Sequence, residues 1–97
     1  MASDKQPQTE TYSDGIKYYG ELNAAGNKHG RGIKIESGGN IFIRYFDDGV
    51  SAPGNEITIW SDGDVDVGEV FLKDVVRRAR GTRYCANGKT PEFEYAL

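Results

Sequence analysis

Ser13-Asp14-Gly15-Ile16-Lys17-Tyr18-Tyr19-Gly20-Glu21-Leu22 is the stretch on which the reading of this chain turns. It opens on a reversal signal, because Asp-Gly is a preferred pair at the centre of a two-residue hairpin turn, where both residues take positive φ. It continues as an extended run with Tyr18, Gly20 and Leu22 on one face and Lys17, Tyr19 and Glu21 on the other. Further along, the signal returns as Ser37-Gly38-Gly39, Ser61-Asp62-Gly63 and Ala86-Asn87-Gly88. The closing glycines stand at 15, 39, 63 and 88, in steps of 24, 24 and 25 residues. Seven residues beyond each is an apolar side chain, Leu22, Phe46, Val70 or Tyr95, and five beyond each are Gly20, Arg44, Gly68 and Phe93. A period of this length marks stacked supersecondary units.

Each signal is flanked by extended segments. Those before it are 9–12, 32–36, 56–60 and 81–85, and those after it are 16–22, 40–46, 64–71 and 89–95. A unit is therefore a strand, a longer loop, a second strand and a tight turn, and the chain holds about three and a half of them. Connections this short force antiparallel neighbours. The expected fold is all-β: a single antiparallel β-meander of up to eight short strands over residues 9–97, an open twisted sheet preceded by a mobile tail at 1–8. The alternative is a curled, barrel-like sheet, since about eight strands can close a small barrel.

Composition agrees. Thirteen of 97 residues are glycine, about twice the usual share of roughly 7%, and they are interleaved with aromatic and β-branched residues as in a strand-and-turn protein. The net charge of −3 argues against a general nucleic-acid binder. One cysteine, Cys85, permits no internal disulfide, and with a single His29 it gives no zinc-ligand set. This suits a reducing, intracellular compartment. No apolar run reaches the roughly 18 residues of a membrane span, and residues 1–8 lack the apolar core of a secretory signal.

Tyr18-Tyr19-Gly20-Glu21-Leu22 followed by Gly26-Asn27-Lys28-His29-Gly30-Arg31-Gly32-Ile33 resembles a MORN repeat (membrane occupation and recognition nexus). The third unit matches in part, through Gly68-Glu69-Val70 and Arg80-Gly81-Thr82-Arg83-Tyr84. The second departs twice: Arg44 replaces the strand glycine, and Pro53-Gly54-Asn55-Glu56 lacks the second glycine. The resemblance covers about residues 12–95. It implies an antiparallel, often elongated sheet used as a scaffold or adaptor, without a catalytic constellation or cofactor. It also implies a cytoplasmic setting, cytoskeletal or ciliary among the choices, and lipid binding has been proposed for some members.

The second unit is apolar on both faces, with Ile41, Phe42, Ile43, Tyr45 and Phe46 interrupted by Arg44 alone, and Ile57, Ile59 and Trp60 repeat this in the next strand. A single-layer sheet cannot hide both faces, so a loop, another subunit or a partner is expected over the second. The segment from Lys73 to Arg83 concentrates Lys73, Arg77, Arg78, Arg80 and Arg83 against Asp74, and is expected as the long loop of the third unit. Arginine binds carboxylate and phosphate bidentately, so this loop could dock an acidic protein surface, a phosphoinositide head group or an RNA backbone. The candidate partner-binding residues are Phe42, Arg44, Phe46, Trp60, Arg77, Arg78, Arg80 and Arg83.

No catalytic or metal residue emerges. Asp62, Asp64 and Asp66 open like a calcium loop, but Val67 and Lys73 occupy the positions that need glycine and glutamate. They are expected as a turn entering a strand, with Asp64 and Asp66 exposed. His29 pairs with no serine or aspartate in triad fashion and is expected to shape its turn. Cys85 is expected as a packed thiol in a strand. The function expected is that of a non-catalytic structural or adaptor protein, a β-sheet scaffold for protein–protein contacts within a larger assembly or homo-oligomer. The alternative is a peripheral membrane or phosphoinositide-binding module acting through the basic segment.

Overall fold

The computed structural model describes residues 7–97, so most of the expected tail at 1–8 lies outside the described residues. Eight strands follow one another: β1 (Gln8–Thr11), β2 (Lys17–Leu22), β3 (Lys28–Ile35), β4 (Ile41–Asp47), β5 (Val50–Ile59), β6 (Val65–Lys73), β7 (Val76–Tyr84) and β8 (Glu92–Ala96). They form one antiparallel sheet in sequence order, with no helix among the described residues. The sheet stays open, as β1 pairs only with β2 and β8 only with β7. It is nevertheless curled. Arg77 at the start of β7 reaches over β6 to donate from Nε to the Ser51 carbonyl of β5 at 2.7 Å, and the rings of Trp60, at the end of β5, and Tyr95 of β8 meet at 6.3 Å although β6 and β7 lie between those strands.

The periodic glycines mark the turns, but the turn is of a different type from the one expected. At Gly15, Gly39, Gly63 and Gly88 only the glycine takes positive φ, between 86° and 97°. The first residue of each loop donates to the carbonyl four positions on and accepts from the glycine N–H, as in Tyr12 N–H to Ile16 O (2.8 Å) and Gly15 N–H to Tyr12 O (3.0 Å). This is the three-residue hairpin loop, a type I turn closed by a left-handed glycine. Asn23–Asn27 forms a fifth copy between β2 and β3. Consecutive turns are also tied to each other: Asn40 Oδ1 accepts from Ser61 N–H and Asp64 Oδ1 from Ala86 N–H, both at 2.9 Å.

The longer loops expected in the second and third units are absent. Strands β4 and β5 run on to the two-residue turn Asp48-Gly49, and β6 and β7 to Asp74-Val75, with both central residues at positive φ in each. The second strands therefore start earlier than expected, and their extra residues are taken up by bulges. Residues 29–31 bulge opposite Glu21, and 53–56 bulge opposite Arg44. Pro53, with no N–H to give, suits a place where the ladder to β4 is broken. Cys85 lies in the last three-residue turn rather than in a strand.

One face, concave by the curl, holds the buried side chains. Its construction is plainest in the first unit. Tyr18 lies over the paired glycines Gly20 and Gly32, and its hydroxyl donates to the Glu21 carbonyl at 2.8 Å. A Cβ on Gly32 would come within 2.3–2.5 Å of that ring. Phe46 meets the same ring edge-on at 5.5 Å, and Phe42 meets Trp60 in the same way at 5.9 Å.

Two variants test this account. Gly32→Ala must lift Tyr18 from its floor and is expected to destabilise by about 1–3 kcal/mol in chemical denaturation. Val75 is a β-branched residue at φ 60°, 93% exposed and therefore held by no packing. Val75→Gly is expected to relieve about 1 kcal/mol of backbone strain and raise the thermal midpoint by roughly 4–8 °C.

Candidate functional site

The basic segment is strand, not loop, and strand pairing gives its arginines partners. With Asp74-Val75 as the turn, β7 folds back on β6 so that Asp66 lies opposite Arg83 and Glu69 opposite Arg80. Arg83 grips Asp66 bidentately, Nε to Oδ1 at 2.7 Å and Nη2 to Oδ2 at 2.9 Å, and these bonds raise the guanidinium above its ordinary pKa. Arg80 donates to Glu69 at 3.0 Å, Arg78 to Glu94 of β8 at 2.9 Å, and Arg77 to the Ser51 carbonyl. The expected cluster of free positive charge is thus four arginines already matched. The exposed pairs add little to stability, about 0–1 kcal/mol each.

Asp66 departs from the expectation of exposure: it is fully buried, and Trp60 Nε1 also donates to it at 2.9 Å. The other two aspartates of that run serve backbone donors. Asp62 accepts from Asp64 N–H at 3.0 Å, and Asp64 accepts from Ala86 N–H. Among the described residues no group of three His, Cys, Asp or Glu side chains could hold a metal ion. His29 accepts weakly from Asp48 N–H at 3.4 Å beside the β4–β5 turn. Asn23 and Asn27 both donate to the Asp48 carboxylate at 2.8 Å, and these bonds hold its pKa below the usual value.

Arg44 is buried as well. Its Nε donates to Glu56 Oε1 at 3.0 Å, with the two side chains 5% and 0% exposed. Thr58 Oγ1 donates to the same oxygen at 2.8 Å, and the Arg44 guanidinium lies 4.7 Å from the centre of the Phe42 ring. Phe42 and Phe46 are buried beside it, while Trp60 keeps some exposure. Of the residues singled out in the sequence for partner contact, Phe42, Arg44 and Phe46 are therefore occupied inside the chain.

The surface with nothing over it among the described residues is the opposite face, which that selection passed over. The chain has seven isoleucines, and six of them, Ile33, Ile35, Ile41, Ile43, Ile57 and Ile59, point there. Ile35, Ile43 and Ile57 remain 37–38% exposed, Val67 43%, and Tyr19 and Tyr84 51%. On the β2–β5 side a groove of about 480 Å³ opens between Tyr19 and Tyr45 over Ile33, Ile43 and Ile57. The clue available in the sequence was alternation: in Ile41-Phe42-Ile43 the aromatic and the isoleucines must part company.

A second depression of about 520 Å³ lies on the concave side, where Lys28, Lys34 and Arg77 meet Phe46, Val50 and Leu97. Burial lowers the Lys34 pKa, and Arg44 and Lys28 lower it further against the opposing pull of Glu36. No helix of the described residues is long and apolar enough to cross a membrane. No family model matches the chain, and no curated protein does either.

The Arg44–Glu56 pair makes a sharp prediction. Arg44→Met strands a buried carboxylate and is expected to cost about 3–5 kcal/mol, whereas the double variant Arg44→Met/Glu56→Leu regains most of it. A double-mutant cycle in urea measures both.

Proposed function

We propose that this chain is a non-catalytic structural or adaptor protein, a MORN-type β-sheet scaffold that joins a larger assembly through protein–protein contacts. One observation carries the reading. The strand isoleucines stand on the half-exposed face, while the buried face is built from aromatics, glycines and ion pairs. Apolar surface costs roughly 25 cal/mol per Å² to leave in water. A contiguous patch of that kind on a chain otherwise rich in charge and glycine is the mark of an interaction surface. The MORN-type assignment is supported by the 24-residue period and by an aromatic ring seated on paired strand glycines.

A second reading, an anionic-lipid or phosphoinositide module, weighs less at the basic segment because Arg78, Arg80 and Arg83 already hold carboxylates. What favours it is the concave cleft where Arg77 joins Lys28 and Lys34.

The two readings separate cleanly. Under the scaffold reading, the chain in native extract of its source migrates with a larger assembly. Ile43→Glu, on the open face, releases it to its own mass. Anionic vesicles at low salt sediment neither form. Retention of the assembly by Ile43→Glu would count against the scaffold. Vesicle binding that salt abolishes, and that Lys28→Glu/Arg77→Glu removes, would favour the lipid module.

A further inference from the structure

The concave side carries positive charge that the chain itself does not balance. Lys28 and Lys34 of β3 and Arg77 of β7 line one cleft of about 520 Å³ there, and all three are half-buried. Among the described residues no carboxylate is paired with any of them, whereas Arg44, Arg78, Arg80 and Arg83 each hold one. The two ammonium groups rest on rings instead: Lys28 Nζ is 4.7 Å from the centre of the Tyr12 ring, and Lys34 Nζ is 5.1 Å from that of Phe42. Lysine and arginine are seldom taken out of water unless paired. In a chain of net charge −3, with acids in excess, three half-buried cations left without one point to an anion from outside.

Ser51 and Arg77 complete the polar edge of the cleft. Arg77 donates from Nε to the Ser51 carbonyl at 2.7 Å, and both of its Nη groups are without a partner among the described residues. Ser51 Oγ accepts from Arg44 Nη1 at 3.4 Å, so its own proton is free to donate. Phe46 and Val50 supply apolar wall. Small-ligand sites commonly have this form, about 300–1,000 Å³ with apolar walls and a few convergent polar groups. A carboxylate would bring one charge and two oxygens. A phosphate monoester brings a charge of about −1.5 to −2 near neutral pH and three acceptor oxygens, which suits two ammonium groups, a guanidinium and a hydroxyl better. The source follows from shape. The cleft is recessed in the hollow of the curled sheet, where Arg77 reaches across β6 to β5, so a planar bilayer cannot enter it and a dissolved molecule can.

We infer that this cleft binds a soluble phosphate monoester with an apolar body, the phosphate held by Lys28, Lys34, Arg77 and Ser51 and the body lying against Phe46 and Val50. The inference rests on the anion-binding reading of this cleft and moves its source from a membrane to a dissolved ligand. It is independent of the scaffold reading, whose surface is the opposite face.

Isothermal titration calorimetry of the full chain with phenyl phosphate, in phosphate-free buffer above the second phosphate pKa of about 6, reads the outcome. The expected result is one molecule bound per chain with a dissociation constant below about 1 mM, and benzoate held at least about tenfold more weakly. Lys28→Gln and Lys34→Gln are each expected to weaken phenyl phosphate about tenfold, the loss of one charge-assisted hydrogen bond. Lys17→Gln, on the opposite face, leaves it unchanged. Thermal midpoints without ligand check that each variant keeps its fold, and either lysine alone decides the test should the other variant not fold. Benzoate held as tightly as phenyl phosphate overturns the phosphate assignment, and binding that the folded lysine variants leave intact overturns the site. Anionic vesicles at low salt separate the sources. If they sediment the chain while phenyl phosphate does not bind, the lipid reading stands and this inference fails; if neither binds, both fail.

Discussion

A sheet one layer thick has two faces, and the described residues cover only one of them with their side chains. The covering depends on how closely a ring can approach the backbone. Gly20 and Gly32 face each other across β2 and β3, and Tyr18 lies on them with its hydroxyl reaching the Glu21 carbonyl beyond. Curl then brings aromatics from separate hairpins together, Tyr18 with Phe46, Phe42 with Trp60, and Trp60 with Tyr95. Without the glycine floor Tyr18 would stand away from the sheet and lose its place against Phe46.

The two departures of the second unit from the repeat are one change seen twice. Gly20 and Gly32 in the first unit, and Gly68 and Gly81 in the third, are facing glycine pairs. In the second unit the corresponding residues are Arg44 and Glu56, which form the buried ion pair at 3.0 Å. Either substitution alone would bury an unpaired charge, which is far more costly than a missing methylene. The bulge at 53–56 lets the two strands separate enough to seat both side chains, and Thr58 adds a donor to the carboxylate. The degenerate unit is therefore the polar centre of the sheet, flanked on either side by units whose strands carry facing glycines.

How much of this could be read beforehand depended on distance along the chain. The eight strands, their antiparallel order and the four periodic turns follow from local signals, because a glycine that must be left-handed announces itself. The extents of β5 and β7 did not follow. Pro53-Gly54 and the run of arginines look like loop, and pairing with neighbouring strands holds the chain extended there, β6 from Gly54 on and both β6 and β8 for the arginines. The fate of the arginines hung on the same point. Asp74-Val75 carries no turn signal, since valine at positive φ is disfavoured, so the reversal that sets Asp66 against Arg83 and Glu69 against Arg80 was hidden. The buried choice between Phe42 and Ile43 was likewise open, as strand alternation separates the two faces without saying which is concave.

That choice runs against the usual ranking of residues inside a protein, where isoleucine leads and arginine, glutamate and aspartate trail. Here Arg44, Glu56 and Asp66 are buried, and Ile35, Ile43 and Ile57 are more than a third exposed. Aromatics and long ion-paired side chains suit a concave face, because each can span from its own strand to the next and close a curved surface. Short, stiff isoleucines cannot reach across a concavity, but they make an even convex layer whose ordering costs little rotamer entropy. An even layer of that kind gains nothing for the isolated chain. It gains its full hydrophobic contribution only when a second surface of complementary shape removes it from water, so the stability of the sheet and its capacity for contact reside on opposite faces and can be altered separately.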